Sequence, residues 1–156
     1  MLKKKINLSF LIFFLLIPVL FFIGCNKDNP VSQTETLVYQ RDGLIESFGG
    51  DCSAVQIRTS SLGNLDFINS QKIKFKLTGF SDADLSSIVI YYLNNNEQVN
   101  LVNLPHRDQI NNTMTVEIDS PNINSEIFLR LTLKSSVCTG QIFHIEIRDL
   151  KIYTIQ

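Results

Sequence analysis

Along residues 37–156 apolar and polar side chains alternate with a period of two almost everywhere. Ile73, Phe75 and Leu77 alternate with Lys72, Lys74 and Lys76, and Met114, Val116 and Ile118 with Thr115, Glu117 and Asp119. Ile127, Leu129, Leu131 and Leu133 alternate in the same way with Arg130, Thr132 and Lys134. Such a pattern predicts strands with one buried face. Further strands are predicted over Leu37–Arg41, Leu44–Phe48, Ala54–Thr59, Ser87–Leu93, Gln98–Leu104 and Gln141–Ile155. Asp42-Gly43 is a favoured pair for a tight hairpin between the first two, and Asn94-Asn95-Asn96 tolerates positive φ between two later ones. No segment shows a helical period over ten or more residues, and there are no internal repeats. Eight or nine short strands at this spacing predict an all-β fold, a two-sheet antiparallel β-sandwich.

The last strand carries a register problem. Phe143, Ile145 and Ile147 share one face, whereas Leu150 and Ile152 fall on the opposite parity. If all are buried, a bulge near Arg148-Asp149 must reset the pleat. This long closing strand, preceded by Leu129-Arg130-Leu131-Thr132-Leu133, resembles the end of jelly-roll domains of the galactose-binding-like and carbohydrate-binding-module type. The resemblance spans residues 37–156 loosely and implies a jelly-roll.

The N-terminus is of another kind. Lys3, Lys4 and Lys5 precede an apolar run from Leu8 to Ile23 that ends in Gly24-Cys25. A basic segment followed by an apolar stretch of this length reads as a signal peptide, or as an uncleaved span at the short end of the roughly 17–25 residues that cross a bilayer. Phe22-Ile23-Gly24-Cys25 resembles the signal of bacterial lipoproteins. That family implies cleavage before Cys25 and acylation of its thiol, with two or more chains giving a stable anchor. Residues 1–24 are then the signal peptide, 25–36 a lipidated cysteine with a polar tether, and 37–156 the sandwich. A flexible tether of this size holds the domain roughly 15–20 Å from the headgroups. Asn26 and the following Lys27-Asp28 pair resemble the charged export tags of Bacteroidota surface lipoproteins, and read equally as a solvated linker. The expected address is the cell envelope, as an outer-membrane lipoprotein, with the membrane itself as the first partner.

Loss of residues 1–24 leaves eleven basic against fifteen acidic residues. That acidic balance offers no basic stripe for nucleic acid. With Cys25 assigned to lipid, Cys52 and Cys138 remain of three cysteines. In an exported domain an even remainder predicts a disulfide between them, against two free thiols. Closing so long a loop stabilises by about 4–5 kcal/mol at most in the chain-entropy account.

Candidate chemistry is sparse. His106 stands beside Arg107 and Asp108, and His144 shares a strand face with Glu146 and Arg148. Either could act as a base, though solvated charge pairs account for both runs. There is no phosphate loop, zinc-protease helix or nucleophile elbow, so the chain is expected not to be an enzyme. In jelly-roll carbohydrate modules an Asp of the closing strand often ligates a structural calcium ion. The resemblance places Asp149 there, with Asp42 or Glu46 as conceivable partners among the six to eight oxygens such an ion takes. The alternative has Asp149 accepting backbone hydrogen bonds at a bulge.

Sugar platforms use flat rings, and this chain has no Trp and four Tyr. Adjacent Tyr91 and Tyr92 must point to opposite sides of one strand, so one is a candidate ligand-binding ring. The lysines at 72, 74 and 76 could meet an acidic glycan or form a solvated face. The leading expectation is a non-catalytic, lipid-anchored binding module for glycan or envelope protein. The alternative is a structural or assembly lipoprotein of an envelope complex with no small ligand, and a hydrolase ranks third.

Overall fold

Pairing in the computed structural model follows from the alternation. Eight strands form: β1 (Glu35–Gly50), β2 (Gln56–Asp66), β3 (Lys72–Ser81), β4 (Ser87–Asn94), β5 (Glu97–Leu104), β6 (Thr113–Asp119), β7 (Asn124–Leu133) and β8 (Phe143–Ile155). A single helical turn, α1 (Arg107–Ile110), precedes β6. The structure describes residues 33–51, 55–136 and 140–156, all within one unit, Gln33–Gln156.

The strands make two four-stranded antiparallel sheets, in the orders β1-β8-β3-β6 and β2-β7-β4-β5. Except for β4 and β5, consecutive strands lie in opposite sheets, which is the double Greek key of a jelly-roll. The expected all-β sandwich is therefore present, and its strand order is the jelly-roll one.

The core lies between the sheets. Ile73, Phe75 and Leu77 of β3 and Ile145, Ile147, Leu150 and Ile152 of β8 face Ile88 and Ile90 of β4 and Ile127, Leu129, Leu131 and Leu133 of β7. The four β8 residues share one face because the register slips at Asp149. Arg41 is opposite Leu150 but Leu44 is opposite Arg148 on one edge, while Lys76 meets Lys151 and Thr78 meets Arg148 on the other. Asp149 sits in the left-handed region at φ +49°. The predicted bulge is there.

The hairpin expected at Asp42-Gly43 is not. The Leu37–Arg41 and Leu44–Phe48 segments do not pair with each other. Both continue along β8 as one strand, β1. The positive φ that suits Gly43 to a turn, +80° here, serves instead a bulge in β1 opposite that of β8. Asn94-Asn95-Asn96 does form a turn, with Asn95 and Asn96 at φ +51° and +68°. The second strand runs well past the predicted Thr59, to Asp66, through Ser60, Ser61, Gly63 and Asn64.

At one end of the sandwich Gly79 leaves room for buried Ile110. A Cβ there would stand 3.0 Å from the Ile88 Cδ1 and 3.1 Å from the Ile110 Cγ2. Beyond Thr78, where the β3–β6 pairing ends, the Asn111 carboxamide takes over the role of a strand. It accepts from the Ser81 N–H at 2.6 Å and donates to the Ser81 carbonyl at 2.8 Å. The buried Ser81 and Ser86 hydroxyls are satisfied locally, Ser86 donating to Ser81 Oγ at 2.5 Å and Ser81 to the His144 carbonyl at 3.0 Å.

Phe75 is fully buried between the sheets. Truncating it to Ala removes a ring that its neighbours cannot replace, so Phe75→Ala is expected to lower unfolding stability by about 3–5 kcal/mol, measured by denaturant titration. A loss below about 1 kcal/mol would mean that this packing is wrong.

Candidate functional site

The β2-β7-β4-β5 sheet turns one face to the core and the other outward, and the register fixes which side chains meet on the outer one. Thr59, Arg130, Val89 and Asn103 form one row across the strands, and Ser61, Phe128, Tyr91 and Asn100 the next. The Tyr91 and Phe128 rings stack, with centroids 5.4 Å apart and planes at 24°. The Arg130 guanidinium lies over the Tyr91 ring, 5.5 Å from its centroid. Arg130 Nη1 donates to Gln98 Oε1 at 2.7 Å, and Gln98 Nε2 to Asn100 Oδ1 at 2.5 Å. The result is an apolar floor of Val89, Tyr91 and Phe128 edged by carboxamides and hydroxyls. Chemically it can stack a flat apolar surface and hydrogen-bond a polar rim.

The two candidate tyrosines part as predicted. Tyr92 belongs to the core between the sheets, and Tyr91 lies on the outer face. Tyr91 is nonetheless only 9% exposed, because Arg130 and Phe128 cover it. The accessible ring is Phe128, half-buried at the centre of the sheet. Its signal was in the sequence: Phe128 holds a solvent-parity position between Ile127 and Leu129, where a polar residue is the ordinary occupant.

On the other sheet the lysine stripe does lie on the outer face, but its middle member is committed. Lys74 contacts Glu35 and pairs with Glu117 at 3.2 Å. Its hydrogen bond to Glu35 holds that carboxyl below, and the Lys74 ammonium above, their usual values. Lys76 stands over the Tyr153 ring at 5.1 Å.

Asp149 accepts a hydrogen bond from the Gly43 N–H at 2.7 Å, tying the two bulges together. Of its conceivable calcium partners, Asp42 accepts from Gln40 at 2.5 Å and pairs with Lys151 at 3.7 Å. Glu46 turns to the neighbouring sheet, accepting from the Ser60 hydroxyl at 2.5 Å with Arg58 at 3.6 Å. Among the described residues no group of three or more His, Cys, Asp or Glu could hold a metal ion. Backbone acceptance at a bulge, the alternative raised for Asp149, is the geometry observed.

The histidines stand apart. His106 is exposed ahead of α1. His144 lies over Gly49 at the start of β8, and its N–H donates to Asp82 Oδ1 at 2.5 Å while Nδ1 stands 3.6 Å from Oδ2. His144 thus belongs to the other sheet, and His106 to the connection that follows β5. Cys25, Cys52 and Cys138 lie outside the described residues.

Comparisons with known proteins leave the family open. No family model matches the chain, and none of the curated proteins matches it. Among solved structures, a chain of infectious bursal disease virus, Gt strain, aligns at 16% identity over 80% of this chain and 32% of its own, with a TM-score of 0.49. A chain of the Gx strain aligns at 17% over 85% and 33%, with a TM-score of 0.44. The CBM36-1 domain of a multidomain xylanase from the hindgut metagenome of Trinervitermes trinervoides aligns at 14% over 76% and 96%, with a TM-score of 0.35. The chain thus spans about a third of the two viral chains. Likeness at this level carries no function across, and the fold stands on its own strand order.

One carboxylate is strongly perturbed. Asp84, in the β3–β4 loop, accepts from both the hydroxyl and the backbone N–H of Ser136, the latter at 2.9 Å, and these bonds lower its pKa to about 2. A depressed folded-state pKa stabilises above the unfolded value of about 3.9 and is lost as pH falls toward about 2. The difference in Tm between the parent and Asp84→Asn is therefore expected to be full near neutrality and to shrink as acid is added through that window. A difference independent of pH would show that the Ser136 contact does not perturb Asp84.

Proposed function

We propose that this chain is a non-catalytic binding module, carried to the cell envelope by a lipid on Cys25, that contacts glycan through the outer face of the β2-β7-β4-β5 sheet. The observation that carries the reading is the stacked Tyr91–Phe128 pair with Arg130, Gln98 and Asn100 along its rim. A pyranose offers an apolar C–H face and a polar rim. A ring at the centre of a sheet with carboxamides beside it matches both at once. Rigid strands hold these groups before ligand arrives, which lowers the ordering cost of binding.

The lipoprotein reading rests on Lys3 to Lys5, the apolar run and Gly24-Cys25, and makes the outer membrane the proposed address. The Cys52–Cys138 disulfide belongs to the same proposal. It is supported by the flanking described strands: Gly50 is opposite Phe143 and Gln56 opposite Leu133. The two cysteine-bearing connections thus join the same two strand pairs. The rival, an assembly lipoprotein that contacts protein, is favoured by Leu44 and Phe80, which are exposed on the outer face of the other sheet.

The test is a polysaccharide screen of the full chain. Saturable binding without product release is expected, weakened at least tenfold by Phe128→Ala with the fold intact. A stoichiometric envelope protein copurifying with a chain that binds no glycan would support the rival instead, and turnover of a bound polymer would contradict the non-catalytic reading. Intact mass is expected to begin at an acylated Cys25 and, without reductant, to be lighter by the two thiol hydrogens. An unprocessed chain that keeps Met1 would remove the address.

A further inference from the structure

Arg130 differs from the other arginines in being half-buried and tethered without a carboxylate partner among the described residues. Arg58, Arg107 and Arg148 each have a carboxylate within ion-pair distance, from Glu46, Asp108 and Glu146 at 3.6, 3.9 and 2.8 Å. Arg41 is an exposed side chain at the β1 bulge. Arg130 is half-buried at the centre of a sheet, yet among the described residues no carboxylate pairs with it. Its hydrogen bond goes to the neutral carbonyl of Gln98. On the same face of β7, Glu126 accepts from the Ser61 hydroxyl at 2.6 Å.

A guanidinium set over a ring and tethered at one edge has already given up much of its rotamer freedom, and its remaining N–H donors form a fork that suits a carboxylate. One step along the same face of β7 stands Phe128, roughly 7 Å away as alternate residues of a strand are. An uncommitted, oriented cation beside an accessible ring asks for a ligand that is apolar on one surface and anionic at its margin. A uronic acid residue is such a ligand, with an apolar pyranose face and a carboxylate on its rim. Neutral groups complete the surroundings, with Thr59 and Asn103 in the Arg130 row and Asn100 in the next. The lysine stripe of the opposite sheet fits an acidic glycan less well, because its central Lys74 is already paired with Glu35 and Glu117.

Resting on the glycan reading above, we infer that the ligand is a uronate-bearing polysaccharide, its carboxylate taken by Arg130 while the sugar ring lies on Phe128. Because the chain as a whole is acidic, attraction is local to this cation rather than a property of the overall field, and added salt screens it.

The experiment titrates the full chain with polygalacturonate, with the same polymer methyl-esterified, and with neutral arabinoxylan. Binding to polygalacturonate is expected to fall at least tenfold on esterification and by a similar factor in Arg130→Gln, whose Tm and circular dichroism report whether the fold persists. Arg130→Lys, which keeps the charge but loses the planar fork, is expected to fall between the two. If Arg130→Gln or the esterified polymer binds as well as the parent pair, or if arabinoxylan alone is bound in a Phe128-dependent way, the carboxylate assignment is overturned while the glycan reading stands. If no polymer binds, both fall.

Discussion

β8 is hydrogen-bonded along both edges, to β1 and to β3, so its pleat dictates the register of most of one sheet. A strand of strict period two could bury Ile145 and Ile147 or Leu150 and Ile152, but not both pairs. Each such side chain stabilises by about 1.5–3 kcal/mol when buried, so exposing either pair would remove a large part of the roughly 5–15 kcal/mol that holds a domain of this kind together. The extra residue at Asp149 resolves the conflict. Its left-handed backbone is matched across the ladder by Gly43, and the carboxylate of one bonds the amide of the other at 2.7 Å.

Once that register is set, the two outer faces acquire different characters. On the β1-β8-β3-β6 sheet the charges answer each other, Lys74 with Glu35 and Glu117, Arg148 with Glu146, and Lys151 with Asp42. On the β2-β7-β4-β5 sheet the outer parity carries the stacked Phe128 and Tyr91, with a cation over the Tyr91 ring and carboxamides beside it. Burying apolar surface is the ordinary work of the inner face. Phe128 on the outer one, resting beside buried Tyr91 and Val89, has no such use between the sheets, and that accessible ring is the basis of the binding proposal.

Much of the fold was legible in the chain because alternation is a local signal. β3, β6 and β7 follow it residue by residue, the Asn94–Asn96 turn follows its φ preferences, and even the β8 bulge shows as a parity break. The Asp42-Gly43 hairpin failed because a residue pair that favours positive φ serves a turn or a bulge equally well, and only the partner strand decides between them. The far half of β2 was hidden because Ser60, Ser61, Gly63 and Asn64 are poor strand formers that pairing with β7 holds extended. The site was less legible still. Tyr91 and Tyr92 were separated correctly by parity, but which one faced out, and that Arg130 would cover it, depended on cross-strand neighbours from β7 and β5. The parity break located the bulge near Arg148-Asp149, but the hydrogen bond from Gly43 to Asp149 required knowing that β1 passes beside it without turning.

The coupled bulges turn on the bond between the Asp149 carboxylate and the Gly43 amide, and amide hydrogen exchange reads that amide directly. Gly43 is expected to exchange at least a hundredfold more slowly than an unstructured glycine, and to lose that protection in Asp149→Ala while Phe75 and its core neighbours keep theirs. A Gly43 amide that exchanges freely in the parent protein would contradict the coupled bulges and the register built on them.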